Sequence, residues 1–518
     1  MLLLSACSTV LPQIMTSRPQ SAAATSVAQA TVAAAQPAST PTVSSPTPRP
    51  TASVLPTAMP RLTTDGWLET ATPHLRLRYY PQSAAARDID QVAVVAEKAY
   101  ARANTVIPAN GPLMVTIYLA PRVFWQGGVT YDGNTILLTY ADRNYAGVEL
   151  WAYLVHELVH ALAGHYVHRG SEVGGLLGEG VAVYTTSGHY GVEPIQQWAA
   201  ALSASNQYIP LCTLRTAWDT QQHEVAYLEG ASFVDYLIRT YGSERFLQFY
   251  AHVPSPPPAL RDRNLWCRNQ GDLPVSGVGR PYSQLETEWR AWLQQQRPQP
   301  VDQAALQAQI RLYDLVRQYQ QQRDPAARIL PPPPNQWNAR LHTLFAAPAI
   351  TPTAVLQEAM FVAAKRNLDQ HQVAQTNAIL DELTGSIATN TFTGTFGLAY
   401  RGIQAALDEQ AAAVRLHDRQ RYQQVTLLGG PSWPGALYTD YRWTINAITL
   451  NPNAAIAEAT LQAQGALPAT NVPYRITLRQ IPGRWQIATA EQVAVDLSLP
   501  PQSKDIAQRN GVLWPFPE

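Results

Sequence analysis

The sequence is short of charge. Lys, Arg, Asp and Glu make up 14% of its 518 residues and sum to a formal net charge of zero, against roughly 25% charged residues in ordinary soluble proteins. It has no basic tract and no Arg/Lys-rich helix, so nothing points to a nucleic-acid partner. Cysteine is nearly absent, with Cys7, Cys212 and Cys267 alone. Cys212 and Cys267 stand too far apart in the chain for a CxxC zinc knuckle. In a secreted protein they would pair; in a reducing compartment they would be two separate buried thiols. No stretch approaches the roughly 20 apolar residues of a membrane-spanning helix. What the chain does have is length and apolar content. Hydrophobic residues make up 46% of it, enough for globular folding, and its length calls for two or three domains.

The N-terminus reads MLLLSAC. It resembles the lipobox of a bacterial lipoprotein signal, in which the cysteine is lipidated and becomes the first mature residue. Residues 1–7 read as a signal remnant, because the apolar run Leu2-Leu3-Leu4 is shorter than the roughly 7–15 residues of a full signal core. Residues 8–60 are rich in Ala, Ser, Thr and Pro and include PASTPTVSSPTPRPT from Pro37 to Thr51. Such a segment has too few large apolar groups to offset its ordering entropy, so it reads as a disordered tether. Behind a lipidated Cys7 it would hold a domain away from a membrane, on the extracytoplasmic face.

From Arg61 the pattern becomes that of a folded α+β domain. Leu75–Tyr80, Leu113–Leu119 and Gly133–Tyr140 read as strands, and Ala84–Ala103 as a helix. Leu150–Ala163 follows as a helix, with Trp151, Leu154, Val155, Leu158, Val159 and Leu162 at helical spacing. Beyond it only helices are expected, at Gly174–Gly188, Ile195–Ser203, Val225–Tyr250 with a hinge at Tyr241-Gly242, and Ser283–Leu293. A Gln/Pro stretch then leads into helices at Val301–Gln322 and Ala354–Leu383, interrupted by the prolines at 331–334. Ile403–Val425 reads as a helix, and Ala455–Leu467, Tyr474–Ile481 and Arg484–Val493 as strands.

The helix at 150–163 carries His156-Glu157-Leu158-Val159-His160. Residues four apart lie one turn above each other, so both imidazoles can face one cation. Zn²⁺ suits such a pair, and a neighbouring carboxylate can take the proton of a water that the ion activates. A further carboxylate, Glu179, lies downstream within Leu177-Gly178-Glu179-Gly180-Val181-Ala182. The bland alternative is a helix with two surface histidines.

His156-Glu157-x-x-His160 followed by Gly178-Glu179-Gly180-Val181-Ala182-Val183-Tyr184 resembles the gluzincin metallopeptidases, and more narrowly the peptidase MA-like domains, over Trp67 to Leu293. The resemblance implies a two-lobed domain at 61–297, with a mixed sheet and the metal helix followed by a helical lobe. It implies His156, His160 and Glu179 as zinc ligands, Glu157 as general base, and a peptide or protein substrate. Tyr227 is the first candidate for a donor to the developing oxyanion and His223 the second; Tyr227 can equally be a packing tyrosine. Many gluzincins place an acidic residue one turn beyond the glutamate ligand, to orient a zinc histidine. Here Val183 holds that position, which leaves Asp142 or a backbone carbonyl for the task. His165, His168 and His189 read as solvated turn residues. The Gly133–Tyr140 strand is a candidate edge for pairing an extended peptide.

Residues 298–400 read as a helical linker region and 501–518 as a tail. Residues 401–500 resemble the nuclear transport factor 2-like fold, on Ala406-x-x-x-Gln410-Ala411 and the ending Gly483-Arg484-Trp485-Gln486-Ile487. That fold serves many functions and implies an accessory domain with an antiparallel sheet. His417-Asp418 reads as a surface pair at a helix end. Three functions compete: a tethered zinc metallopeptidase, a non-catalytic surface binding or scaffold protein on the same fold, and a metallohydrolase of non-peptide amides or esters.

Overall fold

The computed structural model describes residues 61–62, 66–81, 83–120, 128–131, 133–140, 150–166, 175–189, 193–257, 263–323, 351–466 and 470–494. The signal remnant, the tether, Asp142, His168, the prolines at 331–334 and the tail lie outside them. The architecture is mixed α+β with two sheets.

The first layer is built from β1 (Arg61–Leu62), β2 (Leu68–Ala71), β3 (Leu75–Tyr79), α1 (Ala84–Val106), β4 (Val115–Ala120), β5 (Gly128–Tyr131) and β6 (Thr135–Thr139). The sheet order is β1-β2-β3-β4-β6-β5. β3, β4 and β6 run parallel, and the remaining pairs are antiparallel. Alternation sets the two faces. Leu75, Leu77, Val115, Ile117, Leu119, Ile136 and Leu138 enter the main core, while Tyr118 and Leu137 point the other way and pack with Trp67. Ser83 starts α1, its hydroxyl accepting from the Ala86 amide at 3.1 Å. One expectation is corrected here. The strand from Gly133 is not an edge, because β6 lies between β4 and β5. At that end of the sheet the edge among the described residues is the short β5, whose four residues, Gly-Val-Thr-Tyr, are too short a run to stand out as sequence.

The helices that follow this sheet are α2 (Leu150–Tyr166), α3 (Gly175–Thr186), α4 (Ile195–Ala204), α5 (Leu211–Ala217), α6 (His223–Tyr241), α7 (Ser243–His252), α8 (Arg263–Arg268) and α9 (Tyr282–Gln294). The hinge between α6 and α7 falls at Gly242, whose φ is +86°. α3 and α6 cross at glycines. A Cβ on Gly180 would stand 2.6 Å from the Gly230 carbonyl oxygen, and one on Gly230 would stand 2.9 Å from that of Leu176. The missing side chains let the two backbones touch, which brings the first turns of α6 close to α2 and α3. Trp289 of α9 is fully buried and donates to Ser232 of α6 at 3.1 Å. Cys212 and Cys267 are joined by a disulfide that ties α5 to α8.

α10 (Pro300–Arg323) packs against α4 and α6, and also against α11 (Pro352–Asp369) and α12 (Val373–Thr389). α13 (Thr395–Arg415) and α14 (Arg419–Val425) precede β7 (Tyr438–Asn451), β8 (Ala454–Gly465), β9 (Thr470–Ile481) and β10 (Arg484–Gln492). These strands form an antiparallel sheet in the order β10-β9-β8-β7.

Two expected helices are each two. The stretch 354–383 breaks at His371 and the stretch 403–425 at His417, with φ of +59° and +55°. At each break the following amide reaches back across the turn, Gln372 to Asn367 at 2.8 Å and Asp418 to Ala413 at 2.9 Å. This is the Schellman closure, usually made with glycine; the apolar spacing continues through both breaks and hid them. Asp418 then caps α14 by accepting from the Arg421 amide.

Candidate metal centre

α2 and α3 lie against each other, so their inward faces meet. His156 and His160, one turn apart on α2, turn their Nε2 atoms toward Glu179 of α3. His156 Nε2 is 3.1 Å from Glu179 Oε2, His160 Nε2 is 3.2 Å from the same oxygen, and the two nitrogens are 3.1 Å apart. These residues could hold a metal ion. Two imidazole nitrogens and one carboxylate oxygen at that spacing would supply three ligands to a cation. The set of two imidazoles and one carboxylate suits Zn²⁺.

The electrostatics are those of a site built around positive charge. Burial works against the charge of His160, but the Glu179 carboxylate outweighs it and pushes the imidazole up to about 9. Burial likewise opposes ionisation of Glu179, yet the two histidines hold its carboxyl well below the usual range. His156 is pulled down, chiefly by burial. Its Nδ1 is buried and has no hydrogen-bond partner among the described residues. A ligating histidine normally anchors that second nitrogen. Val183, at the expected orienting position, is buried in the core and offers no polar atom.

Glu157 stands beside the trio, 5% exposed. Burial raises its pKa, with the neighbouring histidines and a hydrogen bond from Thr130 pulling back. That bond comes from the edge strand: Thr130 Oγ1 donates to Glu157 Oε2 at 2.7 Å and also reaches the Glu157 carbonyl at 2.9 Å. Two positions earlier, Gly128 leaves room for the glutamate. A Cβ there would lie 2.6 Å from Glu157 Cγ. Neither Thr130 nor Gly128 carries a signal in the sequence, since only the pairing of β5 with β6 and its packing against α2 bring them to the site.

Tyr227 and His223, one turn apart on α6, also reach this region. The Tyr227 ring centroid is 6.2 Å from that of His156, with the planes 23° apart. The Tyr227 ring lies 4.0 Å from that of His189 and 4.2 Å from that of His223, and the two imidazoles are themselves 4.8 Å apart, so the three rings form one cluster. Both nitrogens of His223 are engaged: Nδ1 is 2.8 Å from Glu224 Oε1, and Nε2 is 2.6 Å from an Arg317 amino group. The reading of His189 as a solvated turn residue is corrected. Its side chain is 11% exposed, and Nδ1 lies 3.4 Å from Glu224 Oε2. Burial pulls His189 down to about 4. Glu224 is held at about 2, since the two histidines overcome the burial that would raise it. His189, His223 and Glu224 thus form a second group of metal-ligating residue types. His165 is a surface residue bonded to Asn134 at 2.8 Å. No protein-family model matches the chain, and no curated protein matches it.

Proposed function

We propose that the chain is a zinc metallopeptidase of the gluzincin type, acting outside the cytoplasm and tethered to a membrane through lipid on Cys7. One observation carries the reading: the two Nε2 atoms and Glu179 Oε2 form a triangle 3.1–3.2 Å on a side, with a buried carboxylate, Glu157, next to it. Zn²⁺ bound there would supply a Lewis acid that activates water and polarises a carbonyl near neutral pH. Glu157 takes the proton of the attacking water and passes it to the leaving amine. Its high proton affinity in this buried place suits both transfers. Thr130 holds the carboxylate still between them. Tyr227 is the donor we assign to the carbonyl oxygen as charge develops on it; His223, with both nitrogens occupied, is the weaker candidate. An extended peptide would add to the side of β5 away from β6, which no described strand covers. The disulfide supports an oxidising compartment. No helix among the described residues is long and apolar enough to cross a membrane.

A second reading has its own support. Among the described residues His156 Nδ1 has no hydrogen-bond partner and the Val183 side chain is apolar, so none of them gives the zinc histidine its usual support. On that reading the chain is a surface binding or scaffold protein that keeps a metal without turnover. Metal analysis of the purified protein, with hydrolysis of a diverse peptide library by wild type and Glu157→Gln, separates the two. The peptidase reading expects about one zinc per chain in both and a loss of turnover of roughly 10²–10⁴-fold in the variant. Zinc binding with no turnover in wild type favours the scaffold, and absence of zinc from metal-replete protein ends both.

A further inference from the structure

The second group, His189, His223 and Glu224, looks at first like another cation site. Arg317 argues otherwise. A guanidinium has only N–H donors and no acceptor, so its 2.6 Å approach to His223 Nε2 needs a lone pair there. The hydrogen of a neutral His223 then sits on Nδ1 and is donated to Glu224 Oε1 at 2.8 Å. A cation on His223 Nδ1 would need the opposite arrangement, with a hydrogen on Nε2 pointing at the guanidinium.

Arg317 comes from α10, which follows the metal-bearing lobe. α10 grips the same neighbourhood in three places. Arg317 meets His223, Asp314 accepts from Gln222 at 3.1 Å, and Gln309 donates to Glu193 Oε1 at 2.7 Å. Gln222 is the N-cap of α6, accepting from the Val225 amide. Glu193 Oε2 accepts from the His189 amide at 3.0 Å. Each contact therefore ends on a residue that belongs to, caps or hydrogen-bonds the cluster of His189, His223 and Tyr227 rings.

We propose that Arg317 is a positioning residue. It occupies His223 Nε2, keeps that imidazole neutral with its hydrogen on Nδ1, and so locks the His223–Glu224–His189 frame in which Tyr227 is held. Burial is the largest influence holding His223 neutral; the groups facing it are Glu224 on its own helix and Glu179 of α3, which favour a charged ring, with His189 from the connection after α3 and Arg317 from α10, which oppose it. Without the guanidinium, the carboxylates of Glu224 and Glu179 lose one of the influences that oppose them, and the balance against burial moves toward a second proton on the ring. The charge balance of the frame then changes against the face of Tyr227. This deepens the peptidase reading, since it concerns the residue assigned to the carbonyl oxygen, but its first readout does not depend on turnover.

The test uses the full-length, metal-replete protein as wild type, Arg317→Met and Arg317→Lys. Nitrogen-15 spectra of the histidine rings at neutral pH, with His223 assigned by loss of its signals in His223→Gln, report which nitrogens carry hydrogen. Wild type should show His223 protonated on Nδ1 alone. Arg317→Met should show hydrogen on both nitrogens, and Arg317→Lys should resemble wild type. In peptide hydrolysis, Arg317→Met should lower kcat roughly 10-fold, the scale expected for a partner one step removed from the centre. KM and metal content should hold, and Arg317→Lys should recover most of the rate. The proposal is overturned if His223 carries hydrogen on Nε2 in wild type, if its ring state is the same in wild type and Arg317→Met, or if kcat is unchanged while the ring state shifts. If wild type binds metal but hydrolyses nothing, the peptidase reading alone fails, and the ring-nitrogen spectra still decide the role of Arg317.

Discussion

Replacing Gly128 by Ala should disable the centre without touching a metal ligand. The added methyl would stand 2.6 Å from Glu157 Cγ, 2.7 Å from Oε1 and 2.9 Å from Cδ, where ordinary contact is 3.4–4 Å. Either the strand or the carboxylate must retreat by most of an ångström. Glu157 sits on a buried helix face and β5 is paired along its whole length to β6, so the side chain is the part that yields. Yielding breaks the 2.7 Å bond from Thr130. A hydrogen bond to a charged group is worth about 1.5–3 kcal/mol, and a misplacement of about 1 Å in a reacting group costs on the order of 100-fold in rate. The expected outcome for Gly128→Ala is kcat lower by about 100-fold, or about 2.7 kcal/mol in the barrier, with zinc content and melting temperature near wild type. Thr130→Val, which keeps the shape and removes the donor, should show a smaller loss, roughly 10-fold. Steady-state hydrolysis with metal analysis on the same samples is the assay. Wild-type kcat in Gly128→Ala would refute the claim that β5 holds the general base. A loss of kcat that tracks a loss of zinc would show that the damage is to ligation instead.

Gly180→Ala should destabilise the fold by about 1–3 kcal/mol through overpacking against Gly230, although alanine is the better helix former by about 1 kcal/mol; urea unfolding gives the sign directly. Breaking the disulfide by Cys212→Ala with Cys267→Ala frees a loop with a sequence separation of 55, and chain entropy puts the cost at about 4 kcal/mol; a change under about 1 kcal/mol would show that α5 and α8 hold each other without it. Stripping metal with a chelator should lower the melting temperature, and zinc in 100-fold excess over its Kd should restore about 2.7 kcal/mol. His160→Ala should abolish that zinc-dependent shift, as thermal melts with and without zinc will show.

The meeting of His156, His160 and Glu179 was legible in the chain because helical spacing alone puts His156 and His160 on one face, and because Gly178-Glu179-Gly180 follows at close range. The α+β order of elements was legible for a similar reason: alternation and 3.6-residue periodicity are local. Local patterns do not record where a helix stops when the closing residue is His371 or His417 in place of a glycine. They also do not record which strand becomes an edge, since that depends on β6 inserting between β4 and β5. The supporting shell was decided by tertiary structure. Thr130 and Gly128 reach Glu157 across the sheet, His189 turns inward after α3, and Arg317 arrives from a helix nearly a hundred residues beyond α6's first turn. Ligation needs a few donors at fixed spacing, which a single helix can encode. Holding a general base and a neutral imidazole in place needs contacts from every direction, and those exist only once the separate elements pack.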